Sequence, residues 1–297
     1  MNKKRQKLLP SSLIPHPSSL SYIRAKKSLG QNFLADERAV ERIVTAVGPR
    51  ADETIIEIGP GRGALTAPLL ERAGRLVAVE LDRELAPLLR ERFRTSENFR
   101  LVEADALTAD LCALIAPHGS ARVVANLPYY ISTAILQRLI EQRACISEMV
   151  LMLQREVVER ITAEAGASER GFLSVLVQAY CLTETLFDVA PHSFRPVPKV
   201  WSTVLRLRVL PRVAVEVTDE ALFRQLVATG FAQRRKTMLN NLRSAPDALR
   251  SRICGAGGAK HLLEAAGIAP ARRAETLTLE EWARLAREIE AAPQHAL

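Results

Sequence analysis

Four consecutive residues, Asn126-Leu127-Pro128-Tyr129, close the apolar run Val123-Val124-Ala125 and could do chemistry on a base. The Asn126 side-chain oxygen can accept a hydrogen bond from an exocyclic amine. Pro128 lacks an N–H, and its fixed φ helps keep neighbouring carbonyls turned toward one point. Tyr129 offers a flat face on which a nucleobase can stack. An amide, a rigid turn and an aromatic ring at the end of a buried strand suit the grip of a base amino group. The same residues would also serve as an ordinary turn with a core tyrosine, so the upstream segments decide between the two.

Glu57-Ile58-Gly59-Pro60-Gly61-Arg62-Gly63 follows a short apolar run and opens a helical pattern. Its G-x-G-x-G spacing is not the G-x-G-x-x-G of dinucleotide folds, and Pro60 removes an amide that could bind phosphate. A ligand without phosphates, such as S-adenosylmethionine, fits this loop better. Its sulfonium cation would be served at moderate range by a carboxylate such as Glu57. Glu80 lies about twenty residues beyond the loop, where an acidic side chain commonly accepts from both ribose hydroxyls. Asp105, after the third apolar run, is placed to accept from an adenine amino group. Either acid alone reads as a helix N-cap; two in series after a glycine loop read as a cofactor site.

These residues need a scaffold that brings them to one edge. β-rich runs at Thr54–Glu57, Leu76–Glu80, Phe99–Glu103, Arg122–Asn126 and Met149–Gln154 alternate with helix-length segments. Ala64–Ala73 is expected to be helical and closed by Gly74 at C′; Arg83–Phe93 is expected to start from Asp82 as N-cap. Such alternation implies an α/β fold, with a mostly parallel sheet covered by helices on both faces. Ligands bind such sheets at the carboxyl ends of the strands, near the switch point. Gly59, Glu80, Asp105 and Asn126 all fall there. After Pro211, the segments Asp219–Thr229, Gln233–Leu242, Lys260–Ala266 and Leu279–Ile289 read as helices without a strong strand, which implies a small all-helical C-terminal domain.

At 297 residues and 48% hydrophobic, the chain has room for one large and one small domain, and no stretch is apolar enough to span a membrane. Cys112, Cys145, Cys181 and Cys254 form no Cys-x-x-Cys pair, so reduced thiols are expected rather than disulfides or a zinc site, and no metal is expected. Seven of the 41 basic residues precede the first acidic one, leaving 34 against 33 acidic residues in a nearly neutral remainder. The net charge of +8 therefore does not by itself make the body a nucleic-acid binder. The first 20 residues, with Pro10-Ser11-Ser12-Leu13 repeated as Pro17-Ser18-Ser19-Leu20, read as a disordered basic Pro/Ser-rich tail. An organellar transit peptide and a start codon placed too far upstream are the other readings of that tail.

RNA contacts must come from clusters. Arg195, Lys199, Arg206, Arg208 and Arg212 lie in a span, Pro191 to Arg212, without an acidic residue. Arg234, Arg235, Lys236 and Arg243 form a second cluster.

Together with Lys27-Ser28-Leu29-Gly30-Gln31-Asn32-Phe33-Leu34, Phe194-Arg195-Pro196-Val197-Pro198-Lys199-Val200 and Phe231-Ala232-Gln233-Arg234-Arg235-Lys236-Thr237, these motifs closely resemble, in order, those of the rRNA adenine N6,N6-dimethyltransferases. The resemblance runs from about Tyr22 to about Ala286. It implies a Rossmann-like methyltransferase domain over 21–212, a helical RNA-binding domain over 213–297, and S-adenosylmethionine as donor. By motif matching, cofactor contacts fall to Asn32, Leu34, Gly59, Glu80, Asp105 and Asn126. Asn126, Tyr129 and Phe194 become the target-base residues, and Arg195, Lys199, Arg234, Arg235 and Lys236 the RNA contacts. The Arg-Arg-Lys segment and terminal helices resemble the bacterial small-subunit enzymes, which dimethylate two adjacent adenosines in the loop of the last 16S rRNA hairpin. That resemblance implies a cytoplasmic, monomeric enzyme acting on 16S rRNA in the immature small subunit. The alternatives are a large-subunit rRNA methyltransferase of the antibiotic-resistance type and an assembly factor acting mainly by binding. Tyr130 stands where relatives often have Asn, and Trp201 where many have Asp.

Overall fold

The computed structural model describes residues 24–117 and 119–292. The expected tail at 1–20 lies outside them. In chain order the elements are β1 (Phe33–Leu34), α1 (Glu37–Val47), β2 (Thr54–Ile58), α2 (Thr66–Leu70), β3 (Arg75–Glu80), α3 (Leu85–Arg92), β4 (Phe99–Glu103), α4 (Leu111–Ile115), β5 (Ala121–Asn126), α5 (Ser132–Glu141), β6 (Ile146–Gln154) and α6 (Arg155–Thr162). There follow α7 (Phe172–Tyr180), β7 (Cys181–Val189), β8 (Phe194–Arg195), β9 (Ser202–Val209), α8 (Glu220–Gly230), α9 (Met238–Arg243), α10 (Asp247–Gly255), α11 (Gly258–Ala265) and α12 (Leu279–Ala291).

The main sheet has seven strands in the order β4-β3-β2-β5-β6-β9-β7. The first five are parallel; β9 runs antiparallel between β6 and β7. Every residue of β2 is buried, as a central parallel strand covered on both faces requires. From β2 the chain winds outward through β3 to β4, then returns to place β5 on the other side of β2. The sheet's switch point is therefore between β2 and β5, where Ile58 pairs with Ala125. That register sets Gly59 beside Asn126 at the carboxyl edge. The Rossmann-like fold expected from the sequence is present. The antiparallel β9 and β7 are additions to it: each mixes buried with exposed residues, a weaker pattern than the solid apolar runs of β2 and β3.

A second, two-stranded sheet pairs β1 with β8, Leu34 opposite Phe194 and Phe33 opposite Arg195. It ties the amino-terminal segment to the loop before β9. Ala35 and Asp36 reinforce it by donating their N–H groups to the Ser193 carbonyl at 2.8 and 3.2 Å, and Ser193 Oγ donates to Asp36 at 2.8 Å. Asp36 also caps α1.

Several local expectations are corrected. α2 ends at Leu70, so Gly74 is not its C′ residue; a Cβ there would stand 2.2 Å from the Ala51 carbonyl oxygen, and close packing demands the glycine. Asp82 does not cap α3 directly, because that helix starts two residues later than an N-cap at 82 allows. Residues 233–237 are a loop, with Thr237 capping the shorter α9. Cys112 and Cys145 are joined, sulfur to sulfur at 2.08 Å, against the expectation of reduced thiols. Gln142 explains their approach: it accepts from Leu111 N at 2.7 Å and donates to Ala109 O at 3.1 Å, drawing α4 against the turn before β6.

The apolar core runs without a break from β5 and β6 through α7 into α8 to α12, where Trp282 is wholly buried.

Candidate active site

Asn32, Leu34, Gly59, Glu80, Asp105 and Asn126 all line one cavity at the carboxyl edge of the sheet, of about 1030 Å³ including its open mouth. Tyr129 lines it too. Positions far apart in the sequence thus converge on one space.

The glycine loop forms the floor. Gly61 takes φ 59°, and a Cβ there would come within 3.1 Å of the Phe33 ring. Its N–H donates to Glu80 at 3.1 Å, and Asp82 N–H donates to the other Glu80 oxygen at 2.8 Å. Burial raises the Glu80 carboxyl above its usual range, against those bonds. Glu57 is more extreme. Burial pushes it up to about 8, opposed by the Thr66 hydroxyl, which donates at 2.7 Å, and helped by the charge of Glu80. Two carboxyls held toward their neutral forms beneath one cavity suit a cationic ligand, which would favour their ionisation.

A strap formed by residues 24–32 covers one side of the cavity. Asp82 holds it: Lys26 Nζ donates to one carboxylate oxygen at 2.6 Å and Gln31 Nε2 to the other at 2.8 Å. Burial works to raise the Asp82 carboxyl, and the bonds from Lys26, Glu84 N–H and Gln31 more than offset it, leaving it below the ordinary range. Sequence reasoning missed this lock, because an acid just after a strand has the same appearance as a helix cap. Tyr130 lies on the strap as well, its ring packed over Gly30.

Asn126 ends β5, and its side-chain N–H donates to the Asn32 carbonyl at 3.1 Å. The amide oxygen accepts no hydrogen bond from the described residues, and Asn126 lines the cavity. Leu127 N–H continues the sheet by donating to Met152 O at 3.2 Å. The Pro128 carbonyl is taken by Ile131 N–H at 3.3 Å, whereas that of Leu127 receives no hydrogen bond from the described residues. Asn126 Oδ1 and Leu127 O are therefore a pair of acceptors one residue apart. Tyr129 is half-buried, its hydroxyl 2.8 Å from Ser202 Oγ, and burial raises its phenol. Asp105 spends part of its acceptor capacity on its own turn, through Leu107 N–H at 2.9 Å.

Phe194 departs from expectation. It is wholly buried among Leu34, Val189 and Val204 and does not line the cavity. It packs in one cluster with Leu34, its partner across the β1–β8 pair, so it supports the base of the strap.

The charge clusters also change in three dimensions. Arg206 and Arg208, unopposed in sequence, both meet Glu148 and Glu184 on the flanking strands, at 2.8 to 3.6 Å. Arg195 and Lys199 stay exposed, with no ion pair among the described residues; Arg195 donates only to the His192 and Phe194 carbonyls of its own loop. Arg234 reaches the Ser168 carbonyl, while Arg235 and Lys236 are exposed on the loop before α9.

The sequence model of the family described as ribosomal RNA adenine dimethylase matches residues 23–290. The chain belongs to this family. It is 45% identical over 272 residues to the ribosomal RNA small subunit methyltransferase A of Geobacter sulfurreducens, covering 91% of this chain and 97% of that protein. To the protein of the same name from Clostridium botulinum it is 43% identical over 259 residues, 87% of this chain and 92% of the relative. Among solved structures, the chain resembles a dimethyladenosine transferase from Plasmodium falciparum with a TM-score of 0.71 at 23% identity, over 87% of this chain and 97% of the other. It also resembles the 23S rRNA methyltransferase ErmE, with a TM-score of 0.64 at 28% identity, over 87% and 100%.

Proposed function

We propose that the chain transfers methyl groups from S-adenosylmethionine to N6 of two adjacent adenosines in the loop of the 3′-terminal 16S rRNA hairpin, giving N6,N6-dimethyladenosines. It acts as a monomer, in the cytoplasm, on the immature small subunit during its biogenesis. The carrying observation is the acceptor pair of Asn126 Oδ1 and Leu127 O, set at the rim of a cavity whose floor suits a cation. The small-subunit names of the curated relatives favour this reading over the large-subunit one.

The residues present fit the donor. Glu80 would hold the ribose hydroxyls, Asp105 the adenine amine, and Asn32, Leu34 and Gly59 the remaining edges of the cofactor. Glu57 would lie near the positive centre. S-adenosylmethionine supplies an electrophilic methyl group on a sulfonium.

An adenine amine is a poor nucleophile because its lone pair is delocalised into the ring. Asn126 Oδ1 and Leu127 O accept its two N–H bonds and favour a pyramidal nitrogen with the lone pair aimed inward. Those bonds strengthen as positive charge grows on nitrogen, so they stabilise the transition state more than the ground state. Alignment in the cavity supplies much of the rest. Extruding the base costs a few kcal/mol, and stacking on an aromatic ring such as Tyr129 returns about 1–3 kcal/mol. Phe194 contributes from behind, by fixing β1 against β8. The amine would take the methyl as the bond from that carbon to the donor sulfur breaks, and the cationic nitrogen would then release one proton to water. After one transfer an N–H remains and the nitrogen can be presented again, and after two the grip on Asn126 is lost and the product leaves. Arg195, Lys199, Arg234, Arg235 and Lys236 would contact phosphates.

The test is incubation of undermethylated small and large subunits with labelled donor, followed by nucleoside analysis. Label in N6,N6-dimethyladenosine of the small subunit is expected. Label confined to large-subunit rRNA would establish the alternative, and tight subunit binding without transfer would make the chain an assembly factor.

A further inference from the structure

We propose that Trp201 is a stacking platform for a nucleobase flanking the target adenosine, with Arg155 as its backing. The inference rests on the rRNA reading above and extends it to the surface beside the cavity.

The ring is exposed where burial would be its default. Trp201 keeps 45% of its surface, whereas Trp282, the only other tryptophan, keeps none. It is nonetheless held. The Arg155 guanidinium lies 4.8 Å from the indole centroid, and Arg155 N–H donates to the Trp201 carbonyl at 3.0 Å. Asp188 fixes that guanidinium at 2.7 Å and is itself fixed by the Thr203 hydroxyl at 2.6 Å. A cation set against one side of an aromatic ring is an attractive, preorganised pair. It leaves the rest of the indole available without the entropic loss of ordering a free side chain.

The location relative to the site is equally specific. Trp201 precedes Ser202, whose Oγ holds the Tyr129 hydroxyl at 2.8 Å. Ser202 is wholly buried against Tyr129, which lines the cavity, and Trp201, the residue just before β9, is exposed. From Asn126 it is two strands across, through the pairs Asn126 with Met152 and Gln154 with Ser202. The separation is about 14 Å from strand spacing and rise, within reach of a neighbouring nucleotide.

What would meet the ring is decided by the charge around it. Arg195 and Lys199, exposed in the same loop, present cations for phosphates on either side of a stacked base, and no acid occurs between Pro191 and Arg212. Asp188, on the backing side, is already paired with Arg155. An exposed π-face flanked by cations is the arrangement that binds single-stranded RNA with little sequence preference.

The test uses four variants of the full chain: Trp201→Ala, Trp201→Leu, Trp201→Phe and Trp201→Tyr. With undermethylated small subunits, the Ala and Leu variants should raise KM for the subunit by roughly 5- to 150-fold, the range of one lost base stack. The Phe and Tyr variants should stay close to wild type, and donor affinity should be unchanged in all four. Independently, a short single-stranded RNA containing adenine should quench indole fluorescence in the wild type and not in Trp201→Phe, since only the buried Trp282 then remains. Equal KM values across the series, or equal losses in Leu and Phe, would overturn the platform. A raised KM on subunits without any quench by RNA would also overturn it, by showing that a ribosomal protein covers the ring. A wild-type chain that methylates no adenosine in either subunit would instead remove the rRNA reading on which the inference rests.

Discussion

The side-chain N–H of Asn126 donates to the backbone carbonyl of Asn32, so the amide proposed to grip the target base is aimed by the strap along one side of the cavity. The proposed base and cofactor sites therefore share one part. Anything that loosens residues 24–32 should disturb the orientation of the amide as well as the closure of the cavity.

Asp82→Ala tests that link, because it removes the acceptor for both Lys26 and Gln31. Losing both bonds should free the strap, weaken donor binding roughly 10-fold and lower kcat as well. Calorimetric titration with S-adenosylmethionine, alongside turnover, would measure both. Normal donor affinity in this variant would mean the strap plays no part in binding.

Glu57 predicts a pH dependence. Its carboxyl titrates near 8 in the folded chain and near 4.5 when unfolded, so between those values the folded state holds the extra proton. Stability of the donor-free protein should therefore fall as pH rises from about 4.5 to about 8, through this group. Donor binding should have the opposite trend, tightening with pH as the cation meets an ionised carboxylate. Glu57→Gln should flatten both profiles, with melting temperature and donor affinity as the readouts. A wild-type and a Gln variant with parallel pH profiles would rule out this carboxyl as their source.

Salt dependence separates the exposed cations from the paired ones. Arg235→Gln combined with Lys236→Gln should lower the slope of log affinity against log salt by about two, one for each phosphate that the protein no longer neutralises. Arg208→Gln should leave the slope nearly unchanged, because Glu148 and Glu184 already neutralise that arginine. A large slope change from Arg208 alone would reverse the assignment.

The parallel half of the fold was legible because its strands, solid apolar runs in β2 and β3 and shorter ones in β4 and β5, alternate with helices and end in unusual residues: Gly59, Glu80, Asp105 and Asn126. Chain order and strand polarity alone carry those residues to one edge. β7 and β9 were missed because their apolar residues are interrupted by polar ones and their pairing is long-range. The role of Phe194 was misjudged for a related reason. An aromatic ring in a proline-rich loop has the same local sequence whether it faces a ligand or the core, and only the β1–β8 register distinguishes the two. Arg206 and Arg208 show the same limit for charge, since their carboxylate partners stand on other strands. The Asp82 lock combined both difficulties: its partners lie more than fifty residues upstream, in a segment with no periodicity of its own.

Asn126 Oδ1 is proposed to accept from the target amine during transfer. Single-turnover methylation of undermethylated small subunits by Asn126→Ala, with donor binding measured on the same preparation, tests it most directly. Transfer should slow by roughly 10²–10³-fold, the cost of losing one bond made chiefly in the transition state, while donor still binds, though more weakly. Near-normal transfer with the alanine in place would contradict the account.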